Sequence, residues 1–172
     1  QSIIGLSAGL ALEGFKPYVN TIATFITRRC FEQVAIDLCL HKLPVKLIGN
    51  GGGLVYAPLG PTHQAIEDIS IMRTLPNMTI IAPCDSIEMR ELVKQSVNHK
   101  NPMYIRLARG GDKIITSNLE TIKLGKAILK VQPKEHLFIT TGVMTQLAIE
   151  ASKRLDKEMN IKCGVIHLGT VK

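Results

Sequence analysis

The first place in this sequence where chemistry can be read is a histidine that follows a long glycine-rich crossing. Residues 49–62 carry Gly at 49, 51, 52, 53 and 60 and Pro at 58 and 61, and Gly60-Pro61-Thr62-His63 then opens what the pattern predicts as a helix over 63–75. Loops of this length inside a compact domain commonly have a function. A histidine at a helix start sits at the positive end of the helix dipole, which disfavours the imidazolium. A neutral His63 there can donate to a substrate oxygen or accept a proton; the ordinary alternative is a histidine that caps or packs. Glu67 lies one turn further on, but one His and one carboxylate do not make a metal site. Asp68 is expected to face elsewhere on that helix. The loop matches neither G-x-G-x-x-G nor the P-loop, since no Lys-Ser/Thr follows it. No Ser-His-Asp or Cys-His arrangement emerges from the spacing.

Arginines supply the second kind of chemistry. Arg28 and Arg29 are expected to begin a helix just after a strand ending near Ile22, with Phe25 in the turn between. Arg106 and Arg109 straddle the end of a later strand, which makes Arg109 a candidate clamp for a phosphate. The alternatives are surface charge for the arginines and core packing for Phe25.

These side chains need a scaffold, and the periodicity supplies one. Ile3, Ile4, Leu6, Leu10 and Ala11 recur at helical spacing over 2–13, with Gly14 placed to end the helix and Gly5 and Gly9 forming a smooth ridge. A strand is predicted over 16–22 and a helix over 27–41 with Phe31, Val34, Ala35 and Leu38 on one face. Strands follow over 45–48, 79–82 and 103–107, and a helix over 85–99 whose Asp85 and Glu88 resemble a capping box. The helix over 63–75 is expected to bury Ile66, Ile69 and Met72. After a polar stretch at 114–121, taken as a linker, come strands over 126–131, 136–140 and 162–168 and a helix over 144–159. Strands alternating with helices predict an α/β fold with a mainly parallel sheet flanked by helices, followed by the start of a second α/β domain. In such a sheet ligands collect at the carboxyl ends of the strands, where His63, Phe25 and the arginines fall.

Composition narrows the function classes. The 172 residues are 45% hydrophobic and 20% charged, the profile of a globular chain rather than a disordered, collagenous or disulfide-stapled one. The net charge of +7 is spread: residues 1–115 hold 12 basic and 9 acidic side chains, and residues 116–172 hold 9 and 5. With no Trp, three Tyr and four Phe, stacking platforms for single strands are scarce, so no nucleic-acid partner is expected. No apolar run reaches the roughly 20 residues of a membrane span. Cys30, Cys39, Cys84 and Cys163 form no C-x-x-C pair and each lies in or beside an apolar stretch; buried reduced thiols are expected, pointing to the cytoplasm.

At these same residues the sequence resembles the pyrimidine-binding domain of thiamine-diphosphate enzymes of the transketolase family. The matching stretches are Ala8-Gly9-Leu10-Ala11, Gly14 and Lys16-Pro17, then Thr24-Phe25, Arg28, Glu32-Gln33 and Leu43-Pro44-Val45. The most specific runs from Gly60-Pro61-Thr62-His63-Gln64 through Glu67-Asp68, Met72-Arg73 and Leu75-Pro76-Asn77-Met78 to Pro83-x-Asp85. Residues 120–172 resemble the start of the carboxy-terminal domain of the same enzymes. The expected organisation is a pyrimidine-binding domain over 1–115 lacking its amino-terminal part, and an incomplete second domain over 116–172.

The resemblance implies two-carbon ketol transfer between sugar phosphates, with thiamine diphosphate as the cofactor that carries the carbanion chemistry. It implies that Phe25 lies against the aminopyrimidine ring, with Ile22 where the family often has another aromatic. His63 would face the reacting carbon and hydrogen-bond donor-sugar oxygens. Arg109 would bind the phosphate of the sugar, and Arg28 at the same edge is expected to reach the substrate as well. The diphosphate and its Mg would belong to a separate diphosphate-binding domain or subunit, so a dimer or heterotetramer is expected and this segment alone should be inactive. The family's carboxylate that drives the aminopyrimidine into its imino form directly precedes a Gln; here that Gln is Gln1, so a longer parent chain is expected. Leu59 stands where transketolases and deoxyxylulose-phosphate synthases usually have Asp. Gly51 falls where transketolase tends to have a substrate-contacting His, and Gly52 where the synthase has an Arg. The alternatives are a 1-deoxy-D-xylulose-5-phosphate synthase-like enzyme, a 2-oxo-acid dehydrogenase β-chain-like enzyme, or a non-catalytic assembly module.

Overall fold

The computed structural model describes residues 1–117 and 120–172 and divides into two compact units. The first comprises residues 1–81, 95–109 and Lys172; the second comprises residues 82–94 and 110–171.

The first unit is built on a parallel sheet of β1 (Tyr18–Ile22), β2 (Lys46–Asn50), β3 (Thr79–Ile81) and β4 (Met103–Arg106), in the order β1-β2-β4-β3. The register pairs Tyr18 with Lys46, Lys46 with Met103 and Thr79 with Met103. Strands covered on both faces read as continuous apolar runs, and Ile80, Ile81, Met103, Tyr104 and Ile105 are buried accordingly. Lys46 is the exception, an ammonium group buried at the entry of β2. It donates to the carbonyls of Pro44 at 2.9 Å and His99 at 2.8 Å.

Helix α1 (Ser2–Leu12) turns Ile4, Ala8 and Ala11 inward and leaves Ile3, Leu6, Leu10 and Leu12 exposed. The helix predicted over 27–41 is interrupted. Helix α2 (Ala23–Thr27) ends at Arg28, and α3 (Phe31–Gln33) continues as a π-helical turn, Val34–Leu40. Thr27 Oγ1 and Cys30 Sγ donate to the carbonyls of Ala23 and Phe25, engaging acceptors that an unbroken helix would use for its own amides. Arg28 and Arg29 therefore lie in the joint between helices, not at a helix start. Val34 and Leu38 are buried as their spacing predicts.

The helix predicted from His63 begins five residues later, as α4 (Asp68–Thr74). Ala65 is held beforehand in a two-bond bridge with Gly53, N–H to carbonyl in both directions at 2.7 and 2.9 Å. That pairing keeps 63–67 extended or turned, so Ile66 is exposed while Met72 is buried.

The second unit takes in the start of helix α5 (Ser86–Ser96), whose cap is shifted from the expected box. Asp85 Oδ1 accepts from the amides of Ile87 and Glu88, whereas Glu88 Oε2 reaches back to the amide of Cys84 at 2.6 Å. The polar stretch is partly tied down: the amides of Ile115 and Thr116 donate to Asp85 Oδ2 at 2.8 and 2.7 Å. Asn118 and Leu119, which fall within it, lie outside the described residues. Beyond it stand β5 (Ile128–Val131), β6 (His136–Thr140) and β7 (Cys163–His167), ordered β5-β7-β6, with α6 (Met144–Met159) joining β6 to β7. Strand β6 runs parallel to β7 and β5 antiparallel to it, so the turn after Val131 separates strands that do not pair with each other. Helix α6 stops at Asn160 in the left-handed region (φ 55°).

All four cysteines are free and buried. Among the described residues no helix is long and apolar enough to cross a membrane.

Candidate functional site

The carboxyl ends of β1, β2 and β4 bring most of the candidate residues to one edge of the first unit's sheet. Ile22 is the last residue of β1 and the N-cap of α2, paired with Asn50 at the end of β2. Phe25 follows one turn later and is half-buried. The loop after β2 returns through the Gly53–Ala65 bridge and sets His63 beside Phe25, with ring centroids 5.1 Å apart and planes at 69°. That edge-to-face geometry places the positive rim of one ring over the electron-rich face of the other.

The loop's position is fixed from α2. Thr24 Oγ1 donates to the carbonyl of Thr62 at 2.9 Å. The Arg28 guanidinium spans three acceptors, the carbonyls of Pro61 and Gln64 at 3.1 and 2.7 Å and the carboxylate of Glu67. The hydrogen bond to Arg28 holds the Glu67 carboxyl below its usual range. Arg28 is thus engaged with the His63 loop through these three acceptors. His63 Nδ1 lies 2.9 Å from Thr62 Oγ1, and among the described residues Nε2 has no hydrogen-bond partner. His63 precedes the helix by five residues and so does not stand at the helix start that the spacing predicts; the threonine contact orients its ring.

A cavity of about 360 Å³ opens beside Phe25 and is also lined by Gln1, Ile3, Asn20, Thr21, Arg29 and Cys30. One face of Phe25 carries the Arg29 guanidinium, 4.9 Å from the ring centroid. An aromatic face flanked by amide and hydroxyl side chains fits a polar heteroaromatic ring. Stacking on the covered face needs only that the exposed Arg29 swing into solvent. Arg109 stands apart: it is exposed, and among the described residues it has no hydrogen-bond or ion-pair partner.

Sequence reasoning misses the group that anchors this edge from inside. Asp68, expected to face elsewhere, is buried and accepts from Tyr104 Oη and Arg106 Nε, both at 2.8 Å. A charged residue closing the apolar run of β4 is the available signal, because a buried strand carries a cation only where a partner meets it. Loop glycines have steric reasons as well. A Cβ on Gly52 would lie 2.6 Å from Arg106 Nε, and one on Gly51 (φ 72°) would run into the Tyr56 ring.

Residues 1–111 match the family described as transketolase, pyrimidine binding domain. Over its whole length the chain is 35% identical to a subunit of the apulose-4-phosphate transketolase of Phocaeicola vulgatus, of which it covers 55%. It is 40% identical, again over its whole length, to a 1-deoxy-D-xylulose-5-phosphate synthase of Clostridium perfringens, of which it covers 28%. Among solved structures, a split-gene transketolase described as an inactive beta4 tetramer superposes with a TM-score of 0.88 at 33% identity. That match covers 98% of this chain and 54% of the other. The chain therefore spans about half the length of the transketolase subunits it matches, and less of the synthase.

Proposed function

Because this chain belongs to the transketolase family and carries its pyrimidine-binding domain over residues 1–111, we propose that it supplies the pyrimidine pocket and a catalytic histidine to a thiamine-diphosphate enzyme. The proposed reaction is transfer of a two-carbon ketol unit between sugar phosphates. The observation that carries this reading is the edge-to-face pair of Phe25 and His63, with Nδ1 of His63 held by Thr62 and Nε2 left free.

In this family the bound cofactor supplies the nucleophilic carbon and the electron sink for C–C cleavage. The chain's own side chains bind and orient. Phe25 lies against the aminopyrimidine, with Ile22 one turn before it at the end of β1. His63 Nε2 faces the sugar, donating to its oxygens or moving a proton at the hydroxyl next to the breaking bond. Arg28 positions His63 through Pro61, Gln64 and Glu67, while Arg109 takes the sugar phosphate. The Mg and diphosphate bind on a separate domain or subunit, and the working assembly is an oligomer; a relative that is one subunit of a transketolase and a split-gene tetramer support the expectation of partner subunits.

The test is to express the full-length protein with its diphosphate-binding partner and assay ketol transfer from ketose phosphates to aldose phosphates. Replacing His63 by Ala should lower kcat/KM by about 10²–10⁴, the range for loss of a positioned acid–base group. Binding of thiamine diphosphate without transfer from any ketose phosphate sinks the reading. Unchanged activity in the His63→Ala enzyme would leave only an assembly module.

The second reading is a 1-deoxy-D-xylulose-5-phosphate synthase-like enzyme, favoured by the 40% identity to that protein. Against it stands Gly52, where a side chain would collide with Arg106. Decarboxylation of pyruvate by the assembled enzyme would decide for it.

A further inference from the structure

The second unit contains a cluster that the proposed reaction does not use. Cys84, Glu88 and His167 are all buried, and one donor atom from each lies within 4.8 Å of the other two. His167 Nε2 is 2.8 Å from Glu88 Oε2. Spacing alone hides the group, because its members stand 4 and 79 positions apart in the sequence.

The hydrogen-bond directions around His167 follow from an acceptor with no choice. Thr140 Oγ1 lies 2.9 Å from the carbonyl of Ile166, so its hydroxyl donates there. Thr145 Oγ1, 3.0 Å from Thr140 Oγ1, must then donate to it. With its own proton committed, Thr145 Oγ1 accepts from His167 Nδ1 at 2.7 Å. Nδ1 therefore carries a hydrogen and Nε2 is the nitrogen aimed at Glu88. Between Nε2 and the Glu88 carboxylate there must sit one positive species, a proton or a metal ion, since two lone pairs at 2.8 Å repel.

We propose that Cys84 Sγ, Glu88 Oε2 and His167 Nε2 form a binding site for one zinc ion. A thiolate and an imidazole select zinc over the hard cations magnesium and calcium. The Nδ1–H donated to Thr145 is the outer-shell bond that fixes the tautomer and orientation of a ligating histidine. Charge balances: zinc enters as +2, one proton leaves the Cys84 thiol and one leaves the His167–Glu88 pair, so the cluster's net charge is unchanged. With zinc–ligand bonds of about 2.0–2.3 Å, a tetrahedral site needs the Nε2–Oε2 pair to open by roughly 0.5 Å and Cys84 Sγ to lie about 3.5 Å from each, shifts within reach of side-chain rotation. Three protein donors leave the fourth position to water. Burial and the nearby Glu88 push the free thiol's pKa up, so zinc must displace a proton that the apo site holds firmly. The site would tie the start of α5 to the end of β7.

The experiment is to load the full-length protein with zinc or cobalt, remove excess by dialysis, and measure bound metal, proton release and cobalt absorption. One equivalent of zinc, two protons released per zinc at neutral pH, and a thiolate-to-cobalt charge-transfer band are expected. Cys84→Ser and His167→Asn should each abolish retention, whereas Cys39→Ala in the other unit should not. Thr145→Val keeps all three ligands and should weaken binding by about 10–100-fold, the usual effect of losing an outer-shell partner. Absence of the cobalt–thiolate band in the folded wild-type protein overturns the proposal without reference to any variant. So does zinc retained equally by Cys84→Ser.

Discussion

Asp68 and Arg106 form an ion pair inside the first unit, Nε to Oδ2 at 2.8 Å, with the carboxylate only 1% exposed. Tyr104 donates to the same oxygen, and burial together with Asp68 pushes its hydroxyl well above the usual range, so it stays a donor at any ordinary pH. Removing the shared acceptor leaves the phenol unpaired and the guanidinium with only the Ala65 carbonyl, 3.3 Å from Nη2. Asp68→Ala should cost about 3–5 kcal/mol in denaturant unfolding, the range for breaking one side of a buried pair. A loss below about 1 kcal/mol would mean that the pair is not structural.

Gly52 and Arg106 are coupled through the same contact. A methyl group at 52 would press on Arg106 at 2.6 Å from Nε, so Gly52→Ala should destabilise by about 1–3 kcal/mol, as overpacking does. In the Asp68→Ala background the guanidinium is free to move away, and the same substitution should cost measurably less. A double-mutant cycle reads the difference. Additive losses would show that Gly52 is constrained by something other than the held guanidinium.

Lys46 makes stability depend on alkaline pH. Burial first, and then the charge of Lys16, lower its pKa to about 8 from 10.5. Below pH 8 the amine is charged in both folded and unfolded chains and the burial penalty is fully present. Between about pH 8 and 10.5 the unfolded chain holds more protons than the folded one, so stability rises with pH. Above 10.5 the penalty is gone. The total rise is roughly 3 kcal/mol as an upper figure. Lys46→Met should flatten this segment of the stability–pH curve. At neutral pH its net effect should be small, because the carbonyls of Pro44 and His99 lose their donor at about 1–3 kcal/mol each. An unchanged slope between pH 8 and 10.5 would contradict the assignment.

Much of this architecture is legible in the sequence because its strands are of the kind that period and composition mark well. The apolar runs at 79–82 and 103–107 and the helix over 144–159 correspond to β3, β4 and α6. The reading fails where long-range partners override local pattern. His63 to Glu67 has helical spacing, but the amide and carbonyl of Ala65 are engaged by Gly53, about a dozen residues earlier. Thr27 and Cys30 look ordinary in a helix until their side chains take the carbonyls of Ala23 and Phe25. The site divides in the same way. Phe25 and His63 stand out in the sequence and lie together, whereas Asp68 escapes notice because helix periodicity counted from His63 starts at the wrong residue. Arg28 has the type and place of a ligand-binding group, yet its three acceptors all belong to the His63 loop.

That occupation of Arg28 yields a prediction separating position from stability. The Arg28–Glu67 pair is more than a third exposed on both sides, where water and salt screen it. Arg28→Ala should therefore leave the unfolding midpoint nearly unchanged. It should nevertheless release the carbonyls of Pro61 and Gln64 and speed amide exchange across residues 62–65 by about an order of magnitude. Exchange at wild-type rates in the variant would mean that Thr24 and the Gly53–Ala65 bridge hold the loop unaided.

Helix α1 carries the last prediction. Leu6 and Leu12 are 66% and 70% exposed, and Phe15 just beyond the helix is 61% exposed, while Ile4 on the opposite side is fully buried. A helix apolar on every face belongs inside a core or an interface, and an oligomer whose subunits meet over α1 would cover it. Each leucine withdrawn from water contributes about 1.5–3 kcal/mol. Replacing Leu6 and Leu12 together by Lys should then weaken association at least about 10²-fold, an effect visible in sedimentation at micromolar concentration. Because both side chains already face solvent, the circular dichroism and thermal midpoint of the dissociated chain should be unaffected. If the variant sediments like the wild type, α1 is not where the subunits meet.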